Sequence, residues 1–218
     1  MKKAATAVAI GRPYGGITHE ARTAERRAAL IAAATCVFGS VGFRKATVKA
    51  ICREAGLNDR YFYAAFDSTD ALLRSTYEHH AERLHSALQH AIDAHADTLE
   101  SRVTAGLQAF FLFLRDTCAA RVLLLEVMGV SVSTDATYQR HISAFAKQLI
   151  SSASPSIRDA IGDRADQRIV GLALVGAMIN AGTAWLLSGY RDPPATMVRN
   201  CSVVFLGTFA YVAAPAPR

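Results

Sequence analysis

The sequence predicts an all-α fold in which an N-terminal three-helix domain with a helix-turn-helix precedes a larger C-terminal helical bundle. Apolar residues recur at helical spacing through most of the 218 residues, and no strand-like alternation persists. Glycine-containing breaks isolate two short helices within residues 47–65, as in a helix-turn-helix. The hydrophobic content of 51% and the charged content of 19% are typical of a folded chain with a sizeable core.

The first helix is predicted to follow a basic arm. Residues 1–22 are basic, rich in glycine and aperiodic, which indicates a flexible segment. Thr23 is a candidate N-cap, and Glu25 suits the positive end of the helix dipole. Apolar residues then recur at helical spacing down to Gly39. We therefore expect the helix-turn-helix domain to span residues 23–69 and the bundle to span residues 70–214.

The second and third helices are short and closely connected. Thr47 is a good N-cap for the second helix, and Gly56 is expected to end it within two turns. Asn58 then caps the third helix only two residues later. Leu57 and Phe62 occupy the two positions of a hydrophobic staple, so Phe62 is expected to point into the core.

Positive charge is concentrated at the N-terminal end of the chain. Residues 1–60 contain eleven Lys and Arg residues against four Asp and Glu residues, although the whole chain has a net charge of only +6. Such a distribution suits a polyanion, most plausibly nucleic acid. The four cysteines are widely spaced and form no C-x-x-C pair, which is consistent with a reducing, cytoplasmic location.

Apolar anchors, glycines and a tyrosine in this region follow the spacing of a known domain. The first helix carries "LIAAATCVF", the break carries Gly42 and Phe43, and "AGL" ends the second helix after the Thr47 cap. Phe62-Tyr63 and "DALL" at 70–73 complete the pattern. With this spacing, residues 27–73 resemble the DNA-binding domain of the tetracycline-repressor (TetR) family of bacterial regulators. The resemblance implies a homodimeric regulator whose C-terminal helices bind a small effector and dimerise.

Three positions depart from the family pattern. Arg60 stands where many members have a small residue in the recognition helix, and Ala65 stands where they commonly have His. Thr69 replaces a Lys that usually opens the fourth helix and approaches a phosphate. Thr69 and the helix N-terminus remain able to bind an anion.

Residues on and around the helix-turn-helix are the candidates for DNA binding. Arg60 and Tyr61 lie in the first turn of the recognition helix, where side chains reach base edges, and an arginine suits a bidentate contact with guanine. The resemblance implies that the Tyr63 hydroxyl binds a phosphate oxygen. The full candidate set is Lys45, Thr47, Lys49, Asn58, Asp59, Arg60, Tyr61, Tyr63, Ala64 and Thr69.

The C-terminal two thirds contain the expected effector and dimer sites. Helical periodicity covers approximately 70–95, 98–118, 120–131, 135–152, 165–188 and 194–213, with breaks at "PSIRDAIGDRAD" and "GYRDPP". The effector is expected to be small and apolar, and its candidate contacts are Glu126, Tyr138, His141, Phe145, Asn180 and Trp185. The candidate dimer interface comprises Ala173, Ala177, Ala181, Phe205 and Phe209.

Two other classes of protein compete with this interpretation. Residues 169–190 are uncharged and long enough to span a bilayer, so a helical ligand-binding or membrane-associated protein without functional DNA binding is the alternative. We favour a buried helix, and no membrane partner is predicted, because the flanking charges show no clear asymmetry.

An enzyme is not expected. His80, His85, His90 and His95 recur every five residues, which winds them around a helix and indicates a solvated face without a metal site. The sequence contains no P-loop, dinucleotide fingerprint or G-x-S-x-G, and no cofactor is predicted.

Taken with the family resemblance, the sequence predicts a cytoplasmic, homodimeric repressor that binds a palindromic operator in double-stranded DNA and is released by the effector.

Overall fold

The predicted all-α fold is confirmed. The computed structural model describes residues 18–94 and 98–214, and within these ranges the chain forms helices and connecting turns without any strand. The α-helices are α1 His19–Val41, α2 Val48–Ala55, α3 Asp59–Ala65, α4 Thr69–Asp93, α5 Leu99–Phe113, α6 Thr117–Leu124, α7 Val132–Ser151, α8 Pro155–Ile161, α9 Arg164–Leu187 and α10 Pro194–Ala213. A single 3₁₀ turn, Phe43–Lys45, connects α1 to the loop before α2.

Helix α1 begins earlier than the sequence predicted. The Thr18 hydroxyl oxygen accepts a hydrogen bond from the Ala21 N–H at 3.2 Å and is the N-cap. Thr23 lies inside the helix, where its hydroxyl donates to the His19 carbonyl at 2.9 Å, so the predicted Thr23 cap is wrong. Both threonines are followed two positions later by a glutamate, so the local signal does not distinguish them. The predicted arm falls mostly on residues 1–17, outside the described residues.

The N-terminal helices share a compact apolar core. The inward-facing side chains of α1, α2 and α3 are fully buried, and α4 contributes its first apolar turn to the same cluster. The largest of these side chains are Leu30, Phe38, Ile51, Phe62 and Leu72. Fully buried Leu and Phe side chains each contribute about 1.5–3 kcal/mol to folding. This core fixes the orientation of the short α3, which would not be stable as an isolated helix.

The C-terminal helices form a bundle in which α5 packs against α4 and α10, and α7 packs against α9. Gly182 of α9 lies so close to α5 that a Cβ atom there would be 2.8 Å from Leu114 and 3.0 Å from Phe110. Trp185 continues this contact, with its ring 5.4 Å from the Phe111 ring in an edge-to-face arrangement. The ends of α9 and α10 agree with the predicted ranges to within one residue.

Helix α8 lies within "PSIRDAIGDRAD", which the sequence predicts to be a break between helices. The Ser154 hydroxyl caps it by accepting from the Ile157 N–H at 3.4 Å, and Pro155 occupies its first turn. A Ser-Pro pair at a helix start is a recognised signal. The apolar content of the next residues was too low for the helix to be predicted. Gln167 of α9 fixes α8 in place by donating to the Arg158 and Gly162 carbonyls.

The N-terminal helices and the bundle share one apolar cluster, and α1 packs on both α4 and α6. Gly39 of α1 packs on α6 so tightly that a Cβ atom would lie 2.5 Å from the Cys118 Cα. The Glu126 carboxylate accepts from the Phe43 N–H at 2.8 Å. Asp70 of α4 accepts from the Thr134 hydroxyl at 2.7 Å. The helix-turn-helix domain is therefore linked to both ends of the α6–α7 connection.

Helices α9 and α10 are long and apolar enough to cross a membrane by length and composition alone. The same test is passed by core helices of soluble proteins, and here α9 packs on α6, α7 and α8 while α10 packs on α5 and α8. Their apolar residues are thus partly used within the bundle.

Candidate nucleic-acid interface and effector cavity

The turn between α2 and α3 has the geometry that the sequence predicted. The Thr47 hydroxyl accepts from the Ala50 N–H at 3.1 Å, and Gly56 adopts the left-handed conformation with φ 64°. The Leu57 N–H then bonds to the Cys52 carbonyl at 2.9 Å and closes the helix end. Asn58 occupies the N-cap position of α3, but its side chain makes no capping hydrogen bond.

Helix α3 has one buried side and one exposed side. Phe62 is fully buried, Phe66 just beyond the helix is 4% exposed, and their ring centroids are 6.2 Å apart. Arg60 and Ala64 are exposed on the opposite side of the helix. Tyr63 is 63% exposed and rests the edge of its ring on Phe62 at 5.2 Å, which leaves its hydroxyl in solvent.

Two arginines of α1 lie against α3 and were not among the predicted site residues. The Arg26 guanidinium lies 4.8 Å from the Tyr61 ring centroid, within cation–π distance. Arg27 stacks on Phe66 at 4.3 Å and donates to the Ala65 carbonyl and the Ser75 hydroxyl. Arg27 thus holds the end of α3, whereas the half-buried Arg26 donates to the Thr23 hydroxyl at 3.1 Å and adds positive charge beside Tyr61. Their adjacency in the sequence gave no sign that they face α3.

The remaining candidates for DNA binding surround this surface. Lys45, Thr47 and Lys49 are exposed around the start of α2. Thr69 is half-buried as the first residue of α4, one position after the Ser68 cap. Asp59 differs from the others because it hydrogen-bonds to the Cys52 thiol, whose pKa is raised by burial and then by this contact. Asp59 therefore faces α2 as well as the exposed surface.

The six predicted effector contacts do not form one site. Trp185 is 3% exposed and its indole N–H donates to the Asp192 carbonyl at 2.8 Å. Asn180 is exposed on the outside of α9. Tyr138 and His141 lie half-buried against the Tyr77 ring between α4 and α7. Which side of each helix faces the interior depends on packing between helices, and the sequence pattern did not predict it for these residues.

Glu126 has a structural task. One carboxylate oxygen accepts from the Phe43 N–H and the other lies 3.4 Å from an Arg121 guanidinium nitrogen. The Glu126 side chain is only 13% exposed. It connects the two domains and is not available to a ligand in this arrangement.

An apolar cavity does lie within the bundle, and Phe145 is the one predicted contact that lines it. The cavity has a volume of about 50 Å³ and is enclosed by α4, α5, α7, α9 and α10. Phe205 and Phe209, predicted for the dimer interface, also line it and are 4% and 1% exposed. Both side chains are buried within one protomer and cannot form a surface for a partner, which corrects that prediction.

A wider polar opening adjoins this cavity. It has a volume of about 450 Å³ and shares Ile92, Arg102, Gln148 and Ser152 with the apolar cavity. Gln148 crosses it by donating to the His85 carbonyl at 3.2 Å and to the Gln89 side chain at 2.9 Å. We call this opening the mouth.

The outer faces of α9 and α10 are apolar and exposed. Ala173 and Ala177 are exposed, and Ala181 is half-buried. Ile169 and Leu187 lie at the two ends of α9 and are 56% and 66% exposed. On α10 the exposed apolar side chains are Val203, Val204 and Tyr211. Exposed apolar side chains grouped on neighbouring helices are typical of interaction surfaces.

The sequence predicted that the histidines of α4 lie on a solvated face, but one of them, His80, is buried. His80 is 3% exposed and its Nε2 lies 2.8 Å from the Thr35 hydroxyl. That hydroxyl donates its proton to the Ile31 carbonyl, so the His80 Nε2–H must be the donor to Thr35. Burial lowers the pKa of His80 to about 4. His95 lies outside the described residues. Among the described residues, no group of three or more His, Cys, Asp or Glu side chains could hold a metal ion.

An exposed recognition helix on a basic three-helix module, joined to a helical bundle that contains an apolar cavity, defines a transcriptional regulator of the helix-turn-helix class. Residues 30–76 match the family of bacterial regulatory proteins described as the tetR family. The transcriptional activator FasR of Mycolicibacterium smegmatis is 25% identical over 182 residues, 80% of each chain. Residues 30–76 therefore form a TetR-family DNA-binding domain, and the family resemblance is confirmed.

Solved structures share most of the fold. The fatty acid degradation regulator FadR from Bacillus halodurans superposes with a TM-score of 0.73 at 18% identity, covering 84% of this chain and 95% of FadR. FadR from Bacillus subtilis, solved in complex with stearoyl-CoA, gives a TM-score of 0.69 at 16% identity, covering 81% and 96%. At these identities the likeness is one of fold. The family model that matches residues 30–76 is one of regulatory proteins.

Proposed function

We propose that this protein is a homodimeric repressor that binds a palindromic operator and is released by a small effector with an apolar chain. The observation that carries the proposal is the exposed side of α3. Arg60, Tyr61 and Tyr63 project from it beside Arg26, while Phe62 anchors the helix from behind. A protein that did not bind DNA would have no reason to present these side chains together.

The exposed groups have different proposed tasks on DNA. Arg60 reads a base pair through the guanine O6 and N7 atoms, because it lies in the first turn of the recognition helix. Tyr63 donates its hydroxyl to a phosphate oxygen. Lys45, Lys49 and Arg26 add phosphate contacts, which give affinity without sequence preference.

The proposed effector occupies the apolar cavity. Most of its walls are Leu, Val, Ile, Met and Phe side chains from five helices, and Arg102, Gln148 and Ser152 line the side that adjoins the mouth. A volume of about 50 Å³ is too small for a long acyl chain, so binding would have to separate α5 and α7 from their neighbours. The stearoyl-CoA complex of the Bacillus subtilis FadR supports an acyl chain as the occupant, because the two folds are alike.

The proposed release depends on the contacts between domains. Two recognition helices match successive major grooves only when they are about 34–36 Å apart. Movement of α7 would be transmitted to the helix-turn-helix domain through Asp70, Thr134 and Glu126. The effector can shift this equilibrium only by its differential affinity for the two states.

The dimer is proposed to form through α9 and α10, whose exposed apolar faces lie on the outside of the bundle. Two-fold pairing would bury the same patch on both subunits. Burial there also explains the uncharged stretch 169–190 without a membrane, so we propose a cytoplasmic, water-soluble protein.

Titration of labelled DNA from beside the protein's own gene tests the proposal. We expect specific binding whose logarithm falls with log salt by roughly 0.9 for each neutralised phosphate, and loss of binding when stearoyl-CoA is added. Matched DNA of scrambled sequence is the control. Binding that ignores sequence and salt would favour the alternative, a helical ligand-binding protein without DNA function. A reporter gene behind the same operator decides between repression and activation.

A further inference from the structure

A basic cleft lies at the end of the bundle farthest from the helix-turn-helix. It is an open cavity of about 690 Å³ between the end of α7, α8 and the start of α9. Four cationic side chains line it against a single carboxylate, that of Asp159. The four, which we call the basic cluster, are Lys147, Arg158, Arg164 and Arg168.

The charges of the basic cluster are not neutralised by neighbours. Within residues 18–94 and 98–214, no carboxylate oxygen lies within 4.0 Å of any of the four cationic groups. The nearby Asp163 and Asp166 are used otherwise, since they cap α9 by accepting from backbone N–H groups. Like charges in one concave site repel each other unless an anion joins them.

The cleft borders the mouth, and the mouth borders the apolar cavity. The mouth and the cleft share Lys147 and Ser151 on the last turns of α7. The mouth and the cavity share Arg102, Gln148 and Ser152. A molecule with an apolar chain and an anionic head could therefore lie continuously from the cavity, past Lys147, to the cleft.

DNA is not a suitable partner for the cleft. Helix α4 begins beside the helix-turn-helix and has 25 residues, so it spans about 37 Å along its axis. Gln148 bonds to His85 and Gln89 on the later part of α4, which places the end of α7 far from the recognition helix. The cleft and the DNA surface therefore lie at opposite ends of the protomer.

We propose that the basic cleft binds the phosphate groups of the effector's head, so that the effector is a phosphorylated amphiphile rather than a free fatty acid. Arginine suits this task because its planar guanidinium binds phosphate oxygens in pairs. This proposal rests on the proposed effector site. It adds that affinity is divided between an apolar chain in the cavity and charged phosphates in the cleft.

Calorimetric titration of the full chain with four probes tests the division. The probes are stearoyl-CoA, coenzyme A without a chain, stearate without phosphates, and inorganic pyrophosphate. The double variant Arg164→Ala/Arg168→Ala removes half of the basic cluster. Arg191→Ala, exposed in the α9–α10 connection at the other end of α9, is the matched control.

We expect the double variant to bind coenzyme A and stearoyl-CoA at least about tenfold more weakly, because hydrogen bonds to charged groups are among the stronger ones. Stearate binding should stay unchanged, and Arg191→Ala should behave as the original protein with all probes. If the double variant also loses binding of inorganic pyrophosphate, the basic cleft binds the diphosphate part of the head group. Coenzyme A binding that is equal in all three proteins, or absent, would overturn the proposal. If stearoyl-CoA binds through the cleft but leaves operator affinity unchanged, the cleft stands and the proposed release by effector fails.

Discussion

At the scale of single residues, Arg60 and Tyr63 divide the work on DNA between reading sequence and holding the backbone. Both are exposed on α3. Arg60 lies in the first turn of α3, where side chains reach base edges. The Tyr63 ring instead packs against Phe62. A base contact and a phosphate contact have distinct effects when they are removed.

Arg60→Ala should weaken binding to the cognate operator by roughly 1–3 kcal/mol and relax the preference at one base-pair position in each half-site. Tyr63→Phe, the matched control, should weaken cognate and scrambled DNA about equally and leave the fold intact. Fluorescence anisotropy with both DNAs separates the two effects. An Arg60→Ala loss that is the same on cognate and scrambled DNA would show that Arg60 contacts only phosphate.

At the scale of helices and their contacts, the α1–α4 interface is stabilised by a histidine that is neutral when folded. His80 donates to Thr35 from Nε2, and Arg83 lies 3.4 Å from its Nδ1. A protonated ring would be desolvated, and it would also face the positive charge of Arg83. The pKa of about 4 in the folded protein lies below the usual value near 6.5.

Stability should therefore fall as the pH is lowered from about 6.5 to 4, because the unfolded state binds the extra proton in this window. The contribution of His80 is present above the unfolded pKa and amounts to about 3 kcal/mol. Urea unfolding from pH 4 to 8 measures it. His80→Gln should flatten the slope, whereas His90→Gln, exposed on the same helix, should not. Equal slopes in both variants would rule out His80 as the source.

The contact between Glu126 and the 3₁₀ turn is the second feature at this scale. Without its carboxylate the Phe43 N–H would lose its partner and Arg121 would lose its counter-charge. Glu126→Ala should lower the free energy of unfolding by about 1–3 kcal/mol. It should also reduce the influence of a bound effector on operator affinity. Glu126→Gln, which keeps an acceptor oxygen, should lose less.

Unfolding in urea and operator titration with and without stearoyl-CoA check both parts of the Glu126 prediction. Glu54→Ala is the control for unfolding, because Glu54 is exposed on α2. If Glu126→Ala is as stable and as responsive as the original protein, the contact does not couple the domains.

At the scale of the whole molecule, two residues that the sequence assigned to the same dimer interface differ in burial. Ala177 is exposed on α9, while Phe209 on α10 is 1% exposed in the core. A charge at an exposed interface opposes association, but a charge in the core opposes folding. The two positions therefore test the dimer without confusing it with stability.

Ala177→Glu should shift sedimentation from dimer to monomer while circular dichroism keeps its helical signal. Phe209→Glu should lose the helical signal itself, because it places an unpaired charge among apolar side chains. Both proteins are compared with the original chain in detergent-free buffer. A dimer that persists in Ala177→Glu would place the interface elsewhere on the bundle.

The sequence alone determined the helices of the DNA-binding domain, and it did so through local chemistry. Thr47, Gly56 and the Leu57–Phe62 pair act within a few residues of one another, so their effect on the chain can be read in order. The buried position of Phe62 and the exposed position of Arg60 follow from the period of one short helix. The same local rules failed at Thr23, because Thr18 gives an equally good cap signal.

Tertiary structure alone decided how the bundle helices are rotated and what they enclose. Phe205 and Phe209 face a cavity because five helices surround it, and Glu126 reaches Phe43 across 83 positions of chain. The basic cluster assembles from three helices, one of which the sequence analysis treated as a break. Contacts between distant residues depend on how whole faces pack, and an apolar stripe shows only that a helix is buried, not which neighbour buries it.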